Sequence, residues 1–154
     1  MEEKPLGTGG GIKKAFELIE NNAFVLNGDT FFDVNLTELD AFHNNTNADF
    51  SMSLKHLTEF DRYGTIALEN SRVKGFKEKA YTKDGWINGG VYLTSAAVLN
   101  RFDLPEQFSL EKDFIERHLD SLHVNGYCAD GYFIDIGIPE DYYKANEDLP
   151  KLLY

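Results

Sequence analysis

Two aspartates in this 154-residue chain end short apolar runs in the same way. Ala23-Phe24-Val25-Leu26 leads into Asn27-Gly28-Asp29-Thr30, and Tyr132-Phe133-Ile134 leads into Asp135-Ile136-Gly137. Such runs predict buried strands, the first of them parallel, and ligands of α/β sheets gather at the carboxyl ends of strands. A carboxylate there suits Mg²⁺, which takes one or two protein carboxylates and completes its shell with phosphate and water. Either aspartate alone reads first as a turn residue. Two of one design point to converging carboxylates, which a metal-phosphate site requires.

Three further segments carry groups suited to phosphate or sugar. Pro5-Leu6-Gly7-Thr8-Gly9-Gly10-Gly11 is a glycine-rich loop running into a helix, and helix N-termini attract anions. Ile12 precedes Lys13 where a P-loop needs glycine, and it also stands where a dinucleotide fingerprint needs its third glycine, so both motifs are excluded. A flexible turn into a helix accounts for the segment as well. Phe76-Lys77-Glu78-Lys79 could set lysine on phosphate and glutamate on a sugar hydroxyl; without context it reads as a solvated charge run. Trp86-Ile87-Asn88-Gly89-Gly90-Val91-Tyr92 puts Asn-Gly-Gly inside an apolar strand. That marks either a β-bulge or close approach by a ligand or another segment.

The elements that must position these groups follow from periodicity. Ile12, Ala15, Phe16 and Ile19 form one apolar helix face. Leu36, Leu39 and Phe42 predict a second helix. Phe50, Met52 and Leu54 alternate with polar residues, as in a half-buried strand. Thr65–Leu68 and Val73–Phe76 read as a hairpin turning near Glu69-Asn70-Ser71, and Trp86–Leu93 as a strand. Ser95–Phe102 is a short helix, and Leu110, Phe114, Ile115 and Leu119 stripe another that starts near Ser109. Pro139, followed by Glu140 and Asp141, opens a closing helix. The pattern is α/β with antiparallel additions.

Composition limits the chemistry. A net charge of −11 argues against nucleic acid or an anionic membrane as partner, although a local loop and a metal can still hold a small anion. Cys128 is the only cysteine, which suits a reducing compartment. With no long apolar stretch or signal-peptide pattern, the chain is expected to be soluble and cytoplasmic. His43, His56, His118 and His123 have no metal-like spacing, and Ser109 lacks a nucleophile-elbow context.

Six segments occur in a telling order: Pro5–Lys13, Val25–Thr30, Asp61-Arg62-Tyr63-Gly64-Thr65, Phe76–Lys79, Ile87–Leu93 and Asp135–Tyr142. In that order they resemble the sugar-1-phosphate nucleotidylyltransferases, nearest to the D-glycero-D-manno-heptose 1-phosphate guanylyltransferases. The resemblance spans essentially the whole chain. It implies an α/β fold: a Rossmann-like mixed sheet with helices on both faces, as in nucleotide-diphospho-sugar transferases, here lacking its first strands. It implies transfer of a nucleotidyl group from a nucleoside triphosphate, expected to be GTP, to a sugar 1-phosphate, with release of pyrophosphate. Mannose or glucose 1-phosphate, and a uridylyl or thymidylyl donor, are the alternatives, as is a non-catalytic sugar-phosphate-binding or regulatory module.

By matching motif, the resemblance assigns Mg²⁺ to Asp29 and Asp135, and the nucleotide to Leu6, Gly7 and Thr8. It assigns the sugar phosphate to Tyr63, Gly64, Glu78, Lys79 and Asn88, with Asp29, Asp135 and Lys79 as the catalytic set. Ala80 stands where the family usually has proline. The family's opening Gly-Gly-x-Gly-Thr-Arg-Leu loop, which wraps the triphosphate, has no counterpart here. Residues 1–154 are therefore expected to be a single partial domain, the C-terminal portion of the enzyme, with little turnover alone. Exposed sheet edges would follow, and with them a homo-oligomer.

Overall fold

A computed structural model describes residues 4–152. Helix α1 (Gly7–Ala15) runs into a 3₁₀ turn at Phe16–Leu18. Strands β1 (Asn22–Leu26) and β2 (Thr30–Phe32) precede helix α2 (Leu36–Asn45). Then come β3 (Phe50–Phe60), the hairpin β4 (Thr65–Glu69) and β5 (Arg72–Lys77), β6 (Thr82–Ser95) and the single turn α3 (Ala96–Leu99). A π-helical turn (Leu110–Ile115) passes into a 3₁₀ turn (Glu116–His118). Strands β7 (Val124–Ala129) and β8 (Phe133–Asp135) and helix α4 (Pro139–Leu152) complete the chain.

Six strands form one mixed sheet in the order β1-β6-β3-β7-β5-β4, and β2 pairs with β8 in a separate ribbon. Among the described residues the one parallel pairing is between β3 and β7, from Phe50 opposite Val124 to Lys55 opposite Ala129. Alternation along the strands divides the apolar residues between two faces. Phe50, Met52 and Leu54 of β3 join Tyr92, Leu110, Phe114 and Val124 in the larger core. On the opposite face Phe32, Leu39 and Val91 are packed by Phe24, Phe42, Tyr127 and Phe133. The polar residues of β3 therefore point at α2, where Ser51 Oγ lies 2.8 Å from His43 Nδ1 and both are buried. Burial lowers the His43 pKa below its usual 6.5 against the pull of Asp40 and Asp49.

Local chemistry explains several boundaries. Asn35 caps α2 by accepting from the amides of Thr37 and Glu38, and donates to Glu38 Oε1 at 3.0 Å. Asn70 and Ser71 both have positive φ, as the two-residue turn between β4 and β5 requires.

Strand β1 departs from expectation. It is an edge strand, only half-buried, and pairs antiparallel with β6 from Asn22 opposite Ser95 to Leu26 opposite Val91. An apolar run alone does not fix the direction of its partner, and the one strand bonded to β1 descends from far along the chain. Its other edge has no strand among the described residues. The glycine-rich segment also differs from a loop: residues 7–15 are themselves helical, so the glycines lie inside the first turns of α1.

Candidate active site

The two aspartates are brought together by the small ribbon. Thr30 stands opposite Asp135 in the β2–β8 register, and the Ile136 amide donates to the Asp29 carbonyl at 2.9 Å. Asp29 is exposed at the end of the β1–β2 turn, where its Oδ1 accepts from Thr30 Oγ1 at 3.3 Å. Asp135 is half-buried and accepts from the Gly137 amide at 2.8 Å. Two carboxylates with unused lone pairs fit the donor set of a Mg²⁺ that draws its remaining ligands from phosphate and water. Among the described residues no group of three or more His, Cys, Asp or Glu could hold a metal by itself.

Asp29 borders a cleft of about 570 Å³. Thr8 and Ile12 of α1, Val25 to Gly28 at the end of β1, Tyr92 and the segment Ser109–Glu111 line the rest of it. A second cleft, of about 200 Å³, is lined by Gly64, Thr65, Glu78, Lys79, Asn88 and Lys112 among others. Glu111 belongs to both clefts. Its Oε1 accepts from Asn88 Nδ2 at 2.5 Å and from the Tyr92 hydroxyl at 2.6 Å. Asn88 Nδ2 also donates to the Tyr92 oxygen at 2.7 Å, while Asn88 Oδ1 accepts from the Gly90 amide at 3.0 Å. Burial first, then the Glu111 charge, pushes the Tyr92 phenol well above its usual 10.0. A neutral phenol fixed as a donor thus holds the carboxylate where the two clefts meet.

The structure gathers some of the expected site residues and separates others. Gly64, Glu78, Lys79 and Asn88 share the second cleft. Tyr63 lies instead beside β8: its ring is 5.9 Å from that of Phe133, and the charge of Asp135 reaches both Tyr63 and Arg62. Arg62 pairs with Asp141 of α4, which raises the guanidinium pKa, and Asp135 adds to that effect.

Of Leu6, Gly7 and Thr8, only Thr8 borders the larger cleft. Leu6 is buried, and its carbonyl accepts from the Phe108 amide at 3.1 Å. The glycines of α1 serve packing. A Cβ on Gly9 would enter the Phe108 ring and one on Gly10 the Glu106 carbonyl, so only hydrogen lets segment 106–110 lie against the helix. Thr8 Oγ1 completes that junction by accepting the Leu110 amide at 3.0 Å.

The Asn-Gly-Gly segment combines both of its sequence readings. The β3–β6 register slips between Met52 and Leu54, a bulge, and Gly90 takes φ +74° there. A Cβ on Gly89 would meet the Phe32 ring and come within 2.9 Å of Ser53 Oγ, so the approaching segments belong to the chain itself.

Glu111 and Tyr92 were not legible as site residues. Glu111 follows a Ser109 that caps its helical turn by accepting the Lys112 amide, and an acid there reads as an ordinary partner for the helix dipole. Tyr92 reads as core.

A mixed sheet with two clefts that meet at Glu111, the larger bordered by Asp29, defines a class. The nucleotidyl transferase family model matches residues 1–151, and the chain belongs to that family. It is 47% identical over 150 residues to the D-glycero-alpha-D-manno-heptose 1-phosphate guanylyltransferase of Aneurinibacillus thermoaerophilus, covering 97% of this chain and 65% of that one. To the enzyme of the same name from Campylobacter jejuni it is 44% identical over 144 residues, covering 93% and 63%. The crystal structure of HddC from Yersinia pseudotuberculosis complexed with GMP-PN matches with a TM-score of 0.81 and 34% identity, over 96% of this chain and 64% of that one. The chain thus spans just under two thirds of the length of these relatives.

Proposed function

We propose that this chain forms the sugar-phosphate and metal-binding portion of an enzyme that transfers GMP from GTP to D-glycero-α-D-manno-heptose 1-phosphate, releasing pyrophosphate. The observation that carries this reading is the pair of clefts joined at Glu111, with Asp29 bordering the larger and Lys79 the smaller. The named relatives supply the base and the sugar. In this reading the nucleotide lies over Thr8 in the larger cleft, against α1 and the end of β1. The sugar lies in the smaller, with Glu78 and Asn88 toward its hydroxyls and Lys79 against its phosphate.

Asp29 and Asp135 would hold Mg²⁺, which when bound neutralises phosphate charge. The chain's own residues orient the two substrates so that a sugar-phosphate oxygen meets the α-phosphorus in line. Asn88 has its amide engaged by Tyr92, Glu111 and Gly90, so it offers a pre-set surface to the sugar.

The reading also takes residues 1–154 as a partial domain whose remaining part supplies the triphosphate contacts; the coverage of the relatives and the free edge of β1 support it. Within that reading the chain resides in the cytoplasm. Among the described residues no helix is long and apolar enough to cross a membrane.

Calorimetry and a pyrophosphate-release assay test the proposal together. The chain is expected to bind the heptose 1-phosphate, and to prefer it to mannose and glucose 1-phosphates. With GTP and Mg²⁺ its turnover alone is expected to fall far below the usual range of about 1–10³ s⁻¹. Failure to bind any sugar 1-phosphate would sink the reading. Sugar-phosphate binding without nucleotide binding, by this chain and by a full-length relative alike, would favour a non-catalytic module instead.

A further inference from the structure

The second cleft carries a cation that the matched motifs do not include. Lys112 lies on the π-helical turn, across the cleft from the Glu78–Lys79 segment. Its ammonium is 3.9 Å from Glu78 Oε1. Both side chains are largely exposed, at 72% and 91%, so this ion pair is weak and easily exchanged.

The two sides of the cleft differ in support. Residues 78–81 form an exposed connection between β5 and β6. The turn bearing Lys112 is anchored by Leu110, Phe114 and Ile115, all buried in the larger core. Irregular helical turns of this kind recur at functional sites.

Charge adds a second reason. Lys77, Lys79 and Lys112 face Glu78, Glu111 and Glu116 around the cleft. A phosphate monoester brings about −1.5 to −2 charge at pH 7. Without Lys112 the carboxylates of the cleft would outnumber its cations before any phosphate arrived.

We propose that Lys112 is a second phosphate-contacting residue, gripping the sugar phosphate from the rigid wall while Lys79 approaches from the loop. When the phosphate binds, Lys112 leaves Glu78, which frees that carboxylate to accept a sugar hydroxyl. The inference rests on reading this cleft as the sugar 1-phosphate site.

The test is calorimetric titration of the full chain with D-glycero-α-D-manno-heptose 1-phosphate at low and high salt, comparing Lys112→Gln and Lys112→Arg with the unaltered protein. Lys112→Gln is expected to weaken binding about tenfold at low salt, the loss of one charge-assisted contact. Its salt sensitivity should also shrink, while Lys112→Arg binds nearly as tightly as the unaltered chain. Equal affinity for Lys112→Gln and the unaltered chain overturns the assignment alone. So does a loss that arginine fails to restore, or one of equal size at both salt concentrations. No binding by the unaltered chain overturns the reading of the cleft together with it.

Discussion

The hydroxyl of Tyr92 donates to Oε1 of Glu111 at 2.6 Å, tying β6 to the π-helical turn at the point where the two clefts meet. The bond is buried on the tyrosine side and open to both clefts on the glutamate side.

Its first consequence is a pH dependence. The folded state holds the Tyr92 proton more tightly than the unfolded chain, whose tyrosines ionise near 10.0. That stabilisation is fully present below the unfolded value and declines as pH rises beyond it. Denaturant titrations from neutral pH to about pH 11 should show the decline, and Tyr92→Phe should make it shallower. Tyr63, Tyr127 and Tyr132 are also shifted upward, so some slope remains. At neutral pH Tyr92→Phe removes a donor from Glu111 and is expected to cost about 1–3 kcal/mol. A variant as stable as the parent at neutral pH would show that the bond contributes nothing.

A second prediction concerns the paired aspartates. Asp29→Asn and Asp135→Asn each remove one charge from the pair. Each is expected to weaken Mn²⁺ binding in the presence of GTP by about tenfold or more, read by electron paramagnetic resonance. Both side chains bond only locally, so the melting temperature should move little. If only one of the two variants changes the metal affinity, the shared site is wrong.

The glycines of α1 give a third. Gly9→Ala places a methyl group in the Phe108 ring and should destabilise by about 1–3 kcal/mol in urea. Gly75→Ala, in β5, meets nothing within 4 Å, so it should be neutral or slightly stabilising. Equal urea midpoints for the two variants would contradict the close packing of α1 on segment 106–110.

The free edge of β1 gives a fourth. Leu26 at the end of β1 is exposed, as are Leu18 and Ile19 shortly before the strand in sequence, Leu18 at 89%. An unpaired apolar edge invites a further strand. Sedimentation velocity should therefore detect concentration-dependent self-association, reduced by Leu26→Lys. A monomer at high concentration would rule this out.

Much of the candidate site was legible because its signals are local. Asp29 and Asp135 end apolar runs, and that pattern needs no partner to be seen. The hairpin of β4 and β5 was equally plain, since Asn70-Ser71 provides the turn. What escaped depends on contacts between distant segments. The antiparallel pairing of β1 is decided by β6, and β7 carries Asn125-Gly126 in place of an unbroken apolar run. The helix expected after Ser109 exists, but as π and 3₁₀ turns whose winding the apolar stripe does not specify. Glu111 gains its meaning from Asn88 and Tyr92, and no spacing around residue 111 announces them.

The β2–β8 ribbon is a clasp between the early and late parts of the chain. Closing so long a loop has an entropic cost. The paired carboxylates therefore do not exist as a pair in any state that has lost β8. A cation bound across them would select the completed fold over all partly unfolded forms, with a stabilisation that grows with the logarithm of its concentration. On the proposed reading, metal binding and folding cooperativity would meet at one short ribbon.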